Sequence, residues 1–220
     1  MRRGNSHNKK LLFMKVFISV LILIFSLQSW SNADDINEFQ VGEMSVGDSL
    51  LDHFNIDNIK KEINSDFIYM YPGGKFLKIG VGDTKEFFLI KNIDPYEDIA
   101  ITIKPNDKEY IIYSIGGRIF CESDLNYCFE KQLSISSDLT EVFGNSANFE
   151  IWDKPHRADK TNQSHIYGNR FDFINSGESI SVNVYDWSKK LNAEKNWQDH
   201  VSVSIHSKEF YDFLAGDIKY

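Results

Sequence analysis

Three stretches of this chain alternate apolar and small polar residues with a period of two. Ile99, Ile101 and Ile103 alternate with Ala100 and Thr102; Ile180, Val182 and Val184 with Ser181 and Asn183; Val201, Val203 and Ile205 with Ser202 and Ser204. That period places successive side chains on opposite faces, so each stretch reads as a half-buried strand. Parallel strands need a crossover of a dozen or more residues, usually a helix. Here no long helical pattern alternates with each strand, which argues against a doubly wound parallel sheet. The expected class is α+β, with a mostly antiparallel sheet.

The helical periodicity is strongest over 124–143, where Leu125, Cys128, Gln132, Ile135, Leu139 and Val142 share a stripe. Ser123 or Asp124 caps its start and Gly144 stands at C′. A helix–loop–helix is expected near 48–63, with Asp48 and Asp57 as caps, and a short C-terminal helix after Ser207. Further strands are expected at 67–71, 75–81, 86–90, 110–115 and 147–152, with a bulge at Gly116-Gly117 and a polar loop over 154–168. The order suggests two units, 34–121 and 122–220, each a helix followed by a β-meander.

Residues 1–33 read as a secretory signal peptide. Arg2, Arg3, Lys9, Lys10 and Lys15 precede the apolar run from Val16 to Leu27, and Ser31-Asn32-Ala33 fits a cleavage site with the cut after Ala33. The apolar run falls short of the ~20 residues a span needs, so no stable membrane span is expected after cleavage. The formal charge of −8 over 220 residues becomes −13 over the 187 that remain, because the leader carries five basic residues and no acidic one. An acidic chain does not neutralise phosphate, which excludes nucleic acid as a partner. The expected product is one domain, 34–220, periplasmic or secreted. In that compartment Cys121 and Cys128, the only two cysteines, are expected to form a disulfide. Their C-x6-C spacing suits neither a zinc site nor a thiol oxidoreductase.

Candidate chemistry is sparse, and no cofactor or metal site is expected. The histidines include no HExxH or H-x3-H pair. Lys154, His156, Arg157, Lys160, His165 and Arg170 form a basic stretch in an acidic chain, able to meet an anionic ligand or a partner's carboxylates. Tyr185, Trp187 and Trp197 flank the polar segment 188–196, either as a binding face or as the edge of the core.

Gly47-Asp48-Ser49-Leu50 resembles the GDSL motif of an esterase and lipase family. That resemblance implies Ser49 as nucleophile, and Asp153-Lys154-Pro155-His156 supplies an Asp-x-x-His with His156 as base and Asp153 as its carboxylate. The family's Gly-x-Asn-Asp block is missing, and the residues before Gly47 are not the apolar run of a buried strand. A wider likeness covers Ala33-Asp34-Asp35-Ile36, Phe39, Gly47 to Asp52, the Cys128 helix, Tyr185-Asp186-Trp187 and Glu209-Phe210. These resemble an uncharacterised family of short exported bacterial proteins with no assigned activity. The layout of Gly47 to Phe54 followed by hairpins is also similar to the small outer-membrane-assembly lipoproteins and the secreted β-lactamase inhibitor proteins, which implies an interaction module. The reading adopted is a non-enzymatic binding module of the cell envelope with an unknown protein or small-molecule partner. The alternative is a serine hydrolase using Ser49 and His156.

Overall fold

The computed structural model describes residue 36 and residues 39–65, 68–80, 93–121 and 124–216. The signal-peptide segment and the expected strand at 86–90 lie outside the described residues. The elements are α1 (Ile56–Ile63), β1 (Tyr69–Met70), β2 (Leu77–Ile79), β3 (Asp98–Ile103), β4 (Ser114–Phe120), α2 (Leu125–Phe143), β5 (Ala147–Pro155), β6 (His165–Phe173), β7 (Ser179–Asp186), α3 (Lys189–Lys195), β8 (His200–His206) and α4 (Lys208–Gly216).

The eight strands form one sheet in the order β1-β2-β3-β4-β8-β7-β6-β5. Every neighbouring pair is antiparallel. The fold is therefore α+β, two meanders joined through β4 and β8, with α1 before the first and α2 before the second. The apolar alternation sets the register. Ile79, Ile101, Ile115, Ile205, Ile180 and Phe171 stand opposite one another in one row across six strands. Slipping any strand by one residue would turn this row to the other face. Helix α2 packs on β7 and β8 on this side and buries Cys128, Leu139 and Phe143.

Several local expectations are corrected. The first helical element is a 3-10 turn, Leu50–Asp52, and its cap is Ser49, whose hydroxyl accepts from Leu51 N at 3.1 Å. Asp48 instead accepts from Ser45 N at 2.8 Å. Asn55, not Asp57, caps α1 by accepting from Asn58 N at 2.9 Å. Gly144 has φ −56°, so it is not a left-handed C′ residue. Gly116 and Gly117 carry no bulge, because the ladders to β3 and β8 run straight through them. A side chain at Gly116 would collide with Ser204, and one at Gly117 with the Tyr96 ring; close approach explains both. Residues 110–112 do not extend β4. Ile112 N donates to Asp48 O and Gly47 N to Ile112 O, each at 2.9 Å, so this segment pairs with residues 47–49. The polar segment 188–196 holds α3, capped by Ser188 and ended by Asn196 at φ 54°. The 154–168 loop shrinks to 156–164 because β5 and β6 run on into it.

Cys121 and Cys128 form a disulfide with Cα atoms 5.3 Å apart. It ties the end of β4 to the first turns of α2. The closed loop is short, so its contribution sits near about 2 kcal/mol. Replacing both cysteines with serine should lower Tm by about 4–8 °C in calorimetry. An unchanged Tm would show that the bond does not constrain the unfolded chain.

Candidate functional site on the sheet face opposite α2

The positions that alternate with the apolar rows point away from α2. One row there runs Asp98, Arg118, Ser202, Asn183 across β3, β4, β8 and β7, and the next runs Phe120, His200, Tyr185. Lys78, Ser114 and His206 belong to the same face nearer α4.

This face is the inside of a curved sheet. Eight flat strands would set β1 and β5 about 33 Å apart at 4.7–4.9 Å per strand. Yet Arg157, on the loop joining β5 to β6, donates from Nη2 to the Tyr69 hydroxyl of β1 at 3.2 Å. The contact needs the sheet to curl and the 156–164 loop to arch over it. Beneath that loop the His156 ring lies 4.4 Å from Trp187 and 6.0 Å from Tyr185. Tyr185 stacks on His200 at 4.6 Å, and Trp187 lies 4.5 Å from Trp197. The loop is fixed by Asp159, whose carboxylate accepts from Thr161 N at 2.8 Å and from the Ser164 hydroxyl at 2.7 Å. Those bonds hold the Asp159 carboxyl well below the usual range. At the opposite end α4 closes the face. Phe210 lies 5.6 Å from His206 and joins Tyr71, Phe76 and Phe213 in a buried cluster.

The charges inside are unevenly matched. Arg118 grips Asp98 through Nε at 2.6 Å and through Nη2. Burial pushes the Asp98 carboxyl up, and Arg118 opposes that shift. Half-buried Lys78 has no ion pair within 4 Å among the described residues. Burial lowers its ammonium pKa, and the nearby Arg118 adds to the effect. Burial likewise pushes three imidazoles down, His156 to about 4, His200 to about 3 and His206 to about 4. All three are neutral at pH 7. Ser114 and Ser181 hydroxyls bracket the His206 ring nitrogens at 2.8 and 3.2 Å. Ser179 Oγ, Asn183 Oδ1 and Trp187 Nε1 are buried on this side with no hydrogen-bond partner among the described residues. Natural interiors keep such atoms few, and each asks for a water or a ligand group.

Of the residues singled out by sequence, Ser49, Asp153 and His156 share no hydrogen bond. The Ser49 hydroxyl donates to Glu109 O at 2.5 Å. Asp153 meets His165 at 2.9 Å instead, and His156 packs among the aromatic rings. The six basic residues do not make one patch. His156 and Arg157 form the arch, and Lys160 is exposed on the same loop. Lys154 lies 4.5 Å over the Trp152 ring. Arg170 pairs with Glu150 and Asp172. His165 stands on the helix-covered side, opposite Pro155. Sequence reasoning missed Lys78, Asp98 and Arg118, which the first meander sets on one face, and Asn183, which the β4–β8 junction adds to it. Their one signal was polar residues at the alternate positions of apolar strands. Among the described residues no group of three or more His, Cys, Asp or Glu side chains is placed to hold a metal ion. No described helix is long and apolar enough to cross a membrane. Comparison with known proteins finds no matching family model, no matching curated protein and no matching solved structure.

Proposed function

We propose that this chain is a non-enzymatic binding module of the bacterial cell envelope, exported by its 1–33 leader, whose sheet face opposite α2 receives an anionic group of a protein or small-molecule partner. The observation that carries this reading is the company Lys78 keeps. Among the described residues, an ammonium without an ion pair shares a curved face with Asn183 Oδ1 and Trp187 Nε1, which have no hydrogen-bond partner there. Leaving a buried polar group unpaired costs about 1–3 kcal/mol, and a ligand supplying an oxyanion and a hydrogen-bonding edge would recover that. The disulfide suits an oxidising compartment. The hydrolase alternative is disfavoured by Ser49, whose proton is committed to a backbone carbonyl rather than to a base.

Native mass spectrometry of the protein recovered from its own envelope should show an added mass or a bound partner, lost in Lys78→Met while the fold is kept. Hydrolysis of p-nitrophenyl butyrate should not exceed that of Ser49→Ala. Ester turnover that disappears in Ser49→Ala would replace the binding module with the hydrolase.

A further inference from the structure

The two ends of the sheet differ sharply. The β1 edge is two residues long and is covered in part by Arg157. The β5 edge is nine residues long, and its ladder to β6 is unbroken from Ala147 to Pro155. The most exposed large hydrophobic side chains of the described residues are Ile151 at 70%, Leu133 at 66%, Ile174 at 61% and Phe149 at 47%. All four lie on this edge or beside it. Ile151 and Phe149 belong to β5, and Ile174 N donates to Ser146 O at 3.1 Å just before the strand. Leu133 of α2 shares a groove with Ile151, Phe129 and Tyr167. A long regular strand that ends the sheet order, with an apolar border, is a template for another strand.

We infer that this edge pairs with the β5 of a second copy, antiparallel about a two-fold axis at Trp152. Two-fold pairing is self-complementary by construction and is the commonest closed assembly. Only registers that place same-face residues opposite one another keep both α2 helices on one side of the joined sheet. An axis at Glu150 sets like charges directly opposite. An axis at Ile151 faces Glu150 with Trp152 and Lys154 with Asn148, so neither charge meets its opposite. An axis at Trp152 sets Glu150 opposite Lys154 of the other copy, twice, and opposes the two Trp152 residues. In that register the two Ile151 side chains lie diagonally across the axis on the α2 side, and Leu133 extends the apolar strip on either side. Glu150, Trp152 and Lys154 lie on the face opposite α2, so this pairing carries that face across both copies.

Sedimentation equilibrium of the purified protein should give twice the chain mass. Ile151→Lys should give the single-chain mass with an unchanged circular dichroism spectrum. Glu150→Lys and Lys154→Glu should each weaken the dimer about tenfold or more, since each puts like charges in direct opposition twice. The double exchange, E150K with K154E, should restore it, although the pair with Arg170 is lost in that variant. A wild-type chain that stays at single mass, a dimer indifferent to Ile151→Lys, or a double exchange that fails to recover would each overturn the proposal. None of these outcomes bears on ligand binding at Lys78.

Discussion

Acidification from pH 7 to pH 5 should lower the stability of this protein by about 3–5 kcal/mol, well before its carboxylates are fully protonated. The reason lies in His156, His200 and His206, whose pKa values burial holds at about 4, about 3 and about 4. In the unfolded chain an imidazole titrates near 6.5. Between roughly pH 6.5 and 4 the unfolded state therefore binds more protons than the folded state, and stability falls as pH falls. At pH 5 buried His200 contributes about 2 kcal/mol to the loss, at 1.36 kcal/mol per unit. Half-buried His156 and His206 each contribute somewhat less. Lys78 and Arg118 disfavour a charge on His200, and Lys78 and Arg170 disfavour one on His206. Asp98 and Glu62 act in the opposite sense. Burial raises their folded pKa, so they recover stability as they protonate and offset part of the loss. Urea midpoints at pH 7, 6 and 5 should fall steadily, and His206→Gln should reduce the slope by about one proton. Equal midpoints across that range would mean that these imidazoles are not neutral and buried.

Phe210→Ala should be the most damaging single truncation at the C-terminal end, costing about 3–5 kcal/mol. The Phe210 ring is fully buried. It meets Tyr71 at 5.2 Å and Phe76 at 5.0 Å, both edge-on, and lies 6.2 Å from Phe213. Such aromatic pairs add to the area term. The ring also anchors α4 beside His206, so its loss opens one end of the curved face. Melting should drop by about 10 °C, while Lys160→Ala on the exposed loop should leave Tm within about a degree. A Phe210→Ala protein melting like the wild type would show that α4 is not part of the cooperative unit.

Much of the architecture was legible because strand alternation is a local signal. Ile99 to Ile103, Ile180 to Val184 and Val201 to Ile205 each name their buried face without reference to any other segment. The long helix was legible for the same reason, and Asp124 caps it as expected. The failures were of two kinds. Ser49 caps in place of the expected Asp48, and Asn55 in place of Asp57, because neighbouring residues are equally able to accept a backbone N–H and local composition does not choose between them. Gly116 and Gly117 were misread because their need for glycine comes from Ser204 and Tyr96, contacts that sequence spacing does not display.

The candidate site was legible only as fragments. His156 and Arg157 stood out in a basic stretch, and Tyr185, Trp187 and Trp197 around a polar segment. That His156 lies against Trp187, and Arg157 against Tyr69, follows from the curl of the sheet. Sequence by itself determined the three alternating strands and the apolar face of each, where the long helix runs and which two cysteines can pair. These depend on periodicity and on residue chemistry within a few positions. Tertiary structure alone decided that β4 pairs with β8, that the two meanders make one curved surface, and that Lys78, Arg118, Asn183 and His200 meet on it. Strand order and curvature are set by which buried faces fit together over the whole sheet, and that is a property of many segments at once and of none alone.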